Sequence, residues 1–147
     1  GKKILVMNDQ EVTVLQNYLD NGGRLFLCGS NIAESLSTHF PSFLTDYLHA
    51  TYLSSPLSHD ELAGRGFLEH LMYMVVSMAD EDQIGLESGA TGILDSSDEE
   101  GIHDWAGLSL DKGYRLVFTS IAPSDIYFCL PDFTFFEDTI NWLELVE

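Results

Sequence analysis

Residues 14–36 constrain the fold more than any other part of the chain. They read VLQNYLDNGGRLFLCGSNIAESL, in which an amphipathic helix ends at Gly22-Gly23 and an apolar segment, residues 24–28, follows. Glycine adopts the positive φ that ends a helix at little steric cost, which favours a stop at this point. The almost wholly apolar segment is typical of a strand covered on both faces, and a Gly-Ser-Asn turn then opens another helix. The stretch therefore predicts helix, strand, turn and helix in that order.

Further elements flank this stretch on both sides. Residues 3–7 predict a short buried strand, and Asn8 with Glu11 three positions later has the sequence of a capping box for the first helix. Strand, helix and strand at this spacing predict a right-handed βαβ unit with a parallel pair. Towards the end of the chain, residues 105–110 and 114–120 predict a β-hairpin around an Asp-Lys-Gly turn.

Two more segments complete the predicted fold. Residues 67–78 fit a helix or a strand, and the β-branched pair Val75-Val76 favours a strand in the second half. Residues 135–146 predict an amphipathic closing helix. A chain of 147 residues without an internal repeat or linker fits one domain. We therefore expect an α/β fold, a three-layer sandwich around a largely parallel sheet, with a C-terminal β-hairpin and a closing helix.

The charge of the chain limits its partners. It carries 24 Asp and Glu residues against 6 Lys and Arg residues, a net charge of −18. Such a surface repels phosphate backbones and anionic headgroups, so we expect neither nucleic acid nor a membrane as partner. No apolar run reaches the length of about 18 residues that would span a bilayer.

The acidic loop around residues 95–101 is a candidate calcium site. Calcium needs several oxygen ligands that converge from a turn, and the loop offers four carboxylates, Asp95, Asp98, Glu99 and Glu100. Its glycine and its alternate positions do not match the EF-hand pattern, so a solvated loop is the favoured interpretation and no cofactor is predicted. A calcium-stabilised structural module stays as an alternative.

Three segments resemble one known family. They are YLDNGGRLFLCGSNIAESL, FLTDYLHATY and GYRLVFTS, followed by a closing helix that contains NWL. Together they resemble class I glutamine amidotransferase-like domains, of the non-catalytic kind appended to secreted bacterial peptidases and surface proteins. The resemblance implies a flavodoxin-like fold, an extracellular or cell-surface location and contacts with other domains of the same polypeptide. Because such domains begin with one further β-α-β stretch, it also implies that residues 1–147 are a single amidotransferase-like domain lacking that stretch.

Cys28 is the residue on which the activity of such a domain would depend. In working members of the family a cysteine on a tight turn after a strand is activated by a His-x-Glu pair from a late strand. Relative to Gly22-Gly23, Cys28 lies one position early, which turns its side chain to the opposite face of the strand. No histidine follows the late strand predicted at residues 114–120, where the His-x-Glu pair of the family would stand. We therefore expect a slowly reacting, protonated thiol and a non-catalytic accessory or binding domain. A cysteine-dependent amidotransferase or hydrolase stays as an alternative.

The resemblance also predicts where a ligand would bind and how the chain would associate. In open α/β sheets ligands bind at the carboxyl ends of the strands, and the candidates there are Gly29, Ser30, Asn31, Ser124 and Asp125. A missing β-α-β stretch would leave an apolar strand edge uncovered, and such edges pair with another chain. We therefore expect self-association, most simply as a two-fold homodimer.

Overall fold

The computed structural model describes residues 7–29, 31–57, 61–69, 72–75, 82–97, 99–121, 126–130 and 135–144. In these ranges the α-helices are α1 (Asp9–Asp20), α2 (Ile32–His39) and α3 (Phe135–Glu144), with a π-helical segment at Phe43–Tyr47 and a 3₁₀ segment at Gly66–Leu68. The strands are β1 (Arg24–Cys28), β2 (Ala50–Pro56), β3 (Glu61–Gly64), β4 (Met72–Val75), β5 (Asp82–Leu86), β6 (Thr91–Asp95), β7 (Trp105–Asp111), β8 (Arg115–Thr119) and β9 (Ile126–Leu130). The strand predicted at residues 3–7 lies outside the described residues except for Met7.

Most of the described strands form one mixed sheet in the order β1-β8-β7-β6-β3-β4-β9, and β2 pairs with β5 in a small second sheet. Among these strands β1 and β8 are the one parallel pair, and every other pairing is antiparallel. The expected α/β three-layer sandwich around a largely parallel, flavodoxin-like sheet is therefore wrong. Hydrophobic periodicity indicates that a segment is a strand, but it carries no information on the direction of the neighbouring strand.

The local signals around α1 and β1 are confirmed. Asn8 and Glu11 form a complete capping box, because the Glu11 N–H donates to Asn8 Oδ1 at 2.9 Å and the Asn8 N–H donates to Glu11 Oε1 at 3.0 Å. Gly22 has a φ of +83° directly after the helix. β1 has the predicted bounds, Arg24–Cys28. These features depend on neighbours in sequence, which is why the sequence predicts them.

The later elements also follow the prediction. β7 and β8 form the expected antiparallel hairpin, in which Asp111 pairs with Arg115 and Gly113 takes a φ of +83°. β4, Met72–Val75, lies in the middle of residues 67–78 and includes Val75, one of the two valines that favoured a strand. α3 is the closing helix over the described part of its predicted range.

Apolar side chains cover the sheet on both faces. On β8, Leu116 and Phe118 belong to the cluster that includes Leu19 of α1 and Leu36 of α2. Val117, between them, belongs to the second cluster, which contains Phe135 and Leu143 of α3. Because neighbouring side chains of a strand point to opposite faces, β8 is covered by helices on both sides.

Candidate functional site

The carboxyl ends of β1 and β8 lie side by side. Cys28 pairs with Thr119 in the parallel register, and the N–H of Gly29 donates to the Thr119 carbonyl oxygen at 3.3 Å. Two of the predicted ligand-binding residues, Gly29 and Asn31, follow β1 at this edge of the sheet. Ser30, Ser124 and Asp125 lie outside the described residues, so the grouping of all five stays a prediction.

Cys28 is the last residue of β1, and its side chain is half-buried. Burial raises the pKa of the Cys28 thiol, because a thiolate loses hydration there. Two of the described histidines form hydrogen bonds with groups other than Cys28. His49 bonds to the Ser88 carbonyl oxygen and His103 bonds to Asp95. β1 stands at one end of the described strand order.

Asn31 and Glu34 begin α2 with the same Asn-x-x-Glu sequence that caps α1. The sequence prediction of a capping box was confined to α1. Asn31 makes no side-chain capping bond, and its backbone has a φ of −113° and a ψ of 7°. Glu34 is only 9% exposed, and within the described residues its Oε2 has no hydrogen-bond donor. Since buried polar atoms almost always have partners, this carboxylate oxygen requires an explanation.

Asp95, one of the four calcium candidates, has its carboxylate occupied by groups of the protein. The carboxylate is 1% exposed; Oδ1 accepts the N–H groups of Ser97 and Asp104 at 3.0 Å each. Oδ2 lies 2.6 Å from His103 Nδ1 and 3.7 Å from Arg65 Nε. These contacts leave Asp95 no free oxygen for a cation.

The other calcium candidates are dispersed or not described. Glu99 and Glu100 are exposed, and Asp98 lies outside the described residues. Within the described ranges, no group of three or more His, Cys, Asp or Glu side chains is placed to hold a metal ion. The calcium-stabilised module stays an alternative, since the structure does not describe Asp98.

His103 joins Asp95 to the neighbouring strand. Its ring stacks on Trp105 with a centroid distance of 4.7 Å and an interplanar angle of 19°. The indole of Trp105 lies so close to Gly92 on β6 that a Cβ there would clash with the ring. The Asp95–His103 contact therefore connects the end of β6 to the residues just before β7, and no local sequence signal indicates it.

A groove follows the outer face of α1. It has a volume of about 590 Å³ and is lined by Met7, Gln10, Glu11, Val14 and Leu15. Val14 is 64% exposed, which leaves one apolar side chain uncovered in the groove. Contact sites are marked by contiguous exposed apolar surface and not by a single side chain. The described residues include no helix with the length and apolarity of a membrane span.

Comparisons with known proteins give a fold but no family. No family model matches the chain, and no curated protein matches it. A solved structure described as "mmIFT52 N-terminal domain" superposes with a TM-score of 0.64 at 13% identity, covering 96% of this chain and 73% of that one. The inferred resemblance to class I glutamine amidotransferase-like domains is therefore wrong: its motifs describe a strand, a turn and a helix, which recur in unrelated folds. What the comparisons support is a fold similar to that of an IFT52 N-terminal domain.

Proposed function

We propose that this chain is a non-catalytic binding domain of a larger protein. The observation that carries the proposal is the state of Cys28, whose half-buried thiol has a raised pKa. A nucleophilic cysteine needs the opposite, a pKa lowered by a base or by positive charge. Without such activation the thiol stays protonated at neutral pH and reacts slowly.

Two further observations support a role as a domain that makes contacts. The structure with the similar fold is named as the N-terminal domain of IFT52, so the fold occurs there as one part of a protein. The groove along α1 has room for side chains of a neighbouring domain. The extracellular location came with the amidotransferase-like resemblance and is not carried over. The two-fold dimer stays a prediction.

Alkylation of the native protein tests the non-catalytic role. Iodoacetamide is added at pH 7, and peptide mass spectrometry separates the label on Cys28 from that on Cys129. We expect Cys28 to react at least tenfold more slowly in the native protein than in urea, with the rate still rising above pH 9 because the pKa is raised. Complete native alkylation within minutes at pH 7 would restore the cysteine-dependent amidotransferase or hydrolase.

A further inference from the structure

His103 is held by two contacts that leave much of its ring exposed. Its Nδ1 lies 2.6 Å from Asp95 Oδ2, and its ring stacks on the indole of Trp105 at a centroid distance of 4.7 Å. Because a carboxylate only accepts hydrogen bonds, the proton of the neutral imidazole stands on Nδ1 and Nε2 carries the lone pair. The side chain is 44% exposed, and Nε2 has no hydrogen-bond partner among the described residues.

The same two contacts suit the ring to act as a nucleophile. When a nitrogen of a neutral imidazole attacks an electrophile, positive charge develops on the ring. The buried Asp95 carboxylate faces that charge across the Nδ1 hydrogen bond, as the aspartate of a serine-protease triad does for its histidine. The indole face of Trp105 also attracts a cation that lies over it. The surroundings of His103 therefore lower the barrier to attack by Nε2.

His49 has a similar arrangement without the carboxylate. Its Nδ1 also has a partner, the Ser88 carbonyl oxygen at 2.9 Å, and its side chain is half-buried. A neutral carbonyl stabilises positive charge on the ring less than a carboxylate does. The chain thus contains two histidines whose Nδ1 is occupied, and of these two His103 has the anionic partner. His49 is consequently the matched control for the reactivity of His103.

Arg65 decides which electrophile fits. Its Nε lies 3.7 Å from Asp95 Oδ2, the oxygen that also contacts His103, so the guanidinium lies beside the imidazole. This distance is longer than a hydrogen bond, and the Arg65 side chain is 46% exposed, so its N–H groups are able to turn to an incoming anion. A metal ion is repelled by the guanidinium, and the described ranges hold no group of three or more side chains placed to bind one. A phosphoryl group instead pairs with arginine through two N–H groups, which offsets part of its repulsion by the net charge of −18.

We propose that His103 Nε2 is a phosphorylation site, which takes a phosphoryl group from a donor with a labile P–N bond. The Nε2 lone pair forms the new N–P bond. The P–N bond of the donor breaks, and its electron pair leaves with the protonated donor nitrogen, which departs as a neutral amine. Arg65 donates to the phosphoryl oxygens, and the Nδ1–H of His103 stays hydrogen-bonded to Asp95. The product adds negative charge to the residues just before β7, and the site is independent of the proposed binding role.

Phosphoramidate, a small donor of this class, tests the site on the native chain and on the chain unfolded in urea. Peptide mass spectrometry follows each histidine, and each rate is divided by that of N-acetylhistidine in the same solvent. We expect His103 to react at least threefold faster in the native protein than in urea, and His49 to react more slowly. Because folding only reduces the exposure of a side chain, a rate above that in urea requires activation of the ring. A native rate of His103 at or below its rate in urea would overturn the proposal.

Variants separate the roles of Asp95 and Arg65. Asp95→Asn should remove the acceleration of His103, and undiminished phosphorylation of this variant would contradict the proposal. Arg65→Met should slow phosphorylation by phosphoramidate at least threefold but leave modification by diethyl pyrocarbonate, an uncharged electrophile, unchanged. Lys112→Met, which loses the same charge at the other end of β7, should change neither rate. If Asp95→Asn does not fold, the exposed Arg65 variant decides: slowing of both reagents alike, or of neither, would rule out the phosphorylation site.

Discussion

Asp95 and Glu34 are both buried carboxylates, but the protein treats them differently. Asp95 is 1% exposed, and both of its oxygens contact donors, which belong to Arg65, Ser97, His103 and Asp104. Glu34 is 9% exposed, and Oε2 has no donor in the described part of the chain. A buried carboxylate with all its donors is explained by stability, whereas one without them lowers stability. The difference teaches which of the two carboxylates the stability of the fold depends on, which is Asp95 and not Glu34.

The largest expected effect comes from removing the satisfied carboxylate. Asp95→Ala should lower the free energy of unfolding by about 3 kcal/mol, because charge-assisted hydrogen bonds contribute about 1.5 to 3 kcal/mol each and are not additive. Urea denaturation followed by tryptophan fluorescence measures it. The matched control is Asp111→Ala. The Asp111 carboxylate is half-exposed and lies 3.5 Å from Arg115, so its removal should lower the free energy of unfolding by less than about 0.5 kcal/mol. If both variants lost the same free energy of unfolding, the buried contacts of Asp95 would stabilise the fold no more than the surface ion pair of Asp111.

Replacing Glu34 should raise the free energy of unfolding, whereas replacing Asp95 should lower it. Glu34→Met keeps a side chain of similar length and removes the oxygen that lacks a donor, so it should raise the free energy of unfolding by about 1 to 2 kcal/mol. The same urea experiment measures the change. A loss of more than about 1 kcal/mol would mean that the carboxylate stabilises the fold, and the contrast with Asp95 would disappear.

A smaller difference is expected between the two helix caps. Asn8→Ala removes a capping bond of 2.9 Å and should cost about 1 kcal/mol. Asn31→Ala removes no capping bond and should change the free energy of unfolding by less than about 0.3 kcal/mol. Thermal unfolding of the two variants side by side checks this. Similar costs would show that the second box forms in solution.

The smallest effect is expected from calcium. Because the Asp95 oxygens already contact donors, millimolar calcium should move the melting temperature by less than about one degree. Differential scanning calorimetry with and without calcium measures the shift. A rise of several degrees that is lost in an Asp98→Asn/Glu100→Gln variant would instead establish the calcium-stabilised module.

What could be predicted from the sequence is local. The capping box of Asn8, the glycine stop at Gly22 and the turn at Gly113 each depend on a few neighbouring residues, and all three are confirmed. The direction of the strands and the pairing of Asp95 with His103 depend on residues that meet only in the folded chain. Asn31 shows the limit best, because its sequence pattern matches that of Asn8 but its backbone conformation differs.

The parallel pairing of β1 with β8 has a consequence for the time course of folding. Residue 24 pairs with residue 115, whereas β8 meets β7 across a tight turn. Local contacts close quickly and distant ones slowly, so the β7–β8 hairpin forms early and β1 docks onto it late. During synthesis β1 leaves the ribosome long before its partner strand exists. Its apolar side chains, Leu25, Phe26 and Leu27, are then not covered by β8 until that strand has been synthesised.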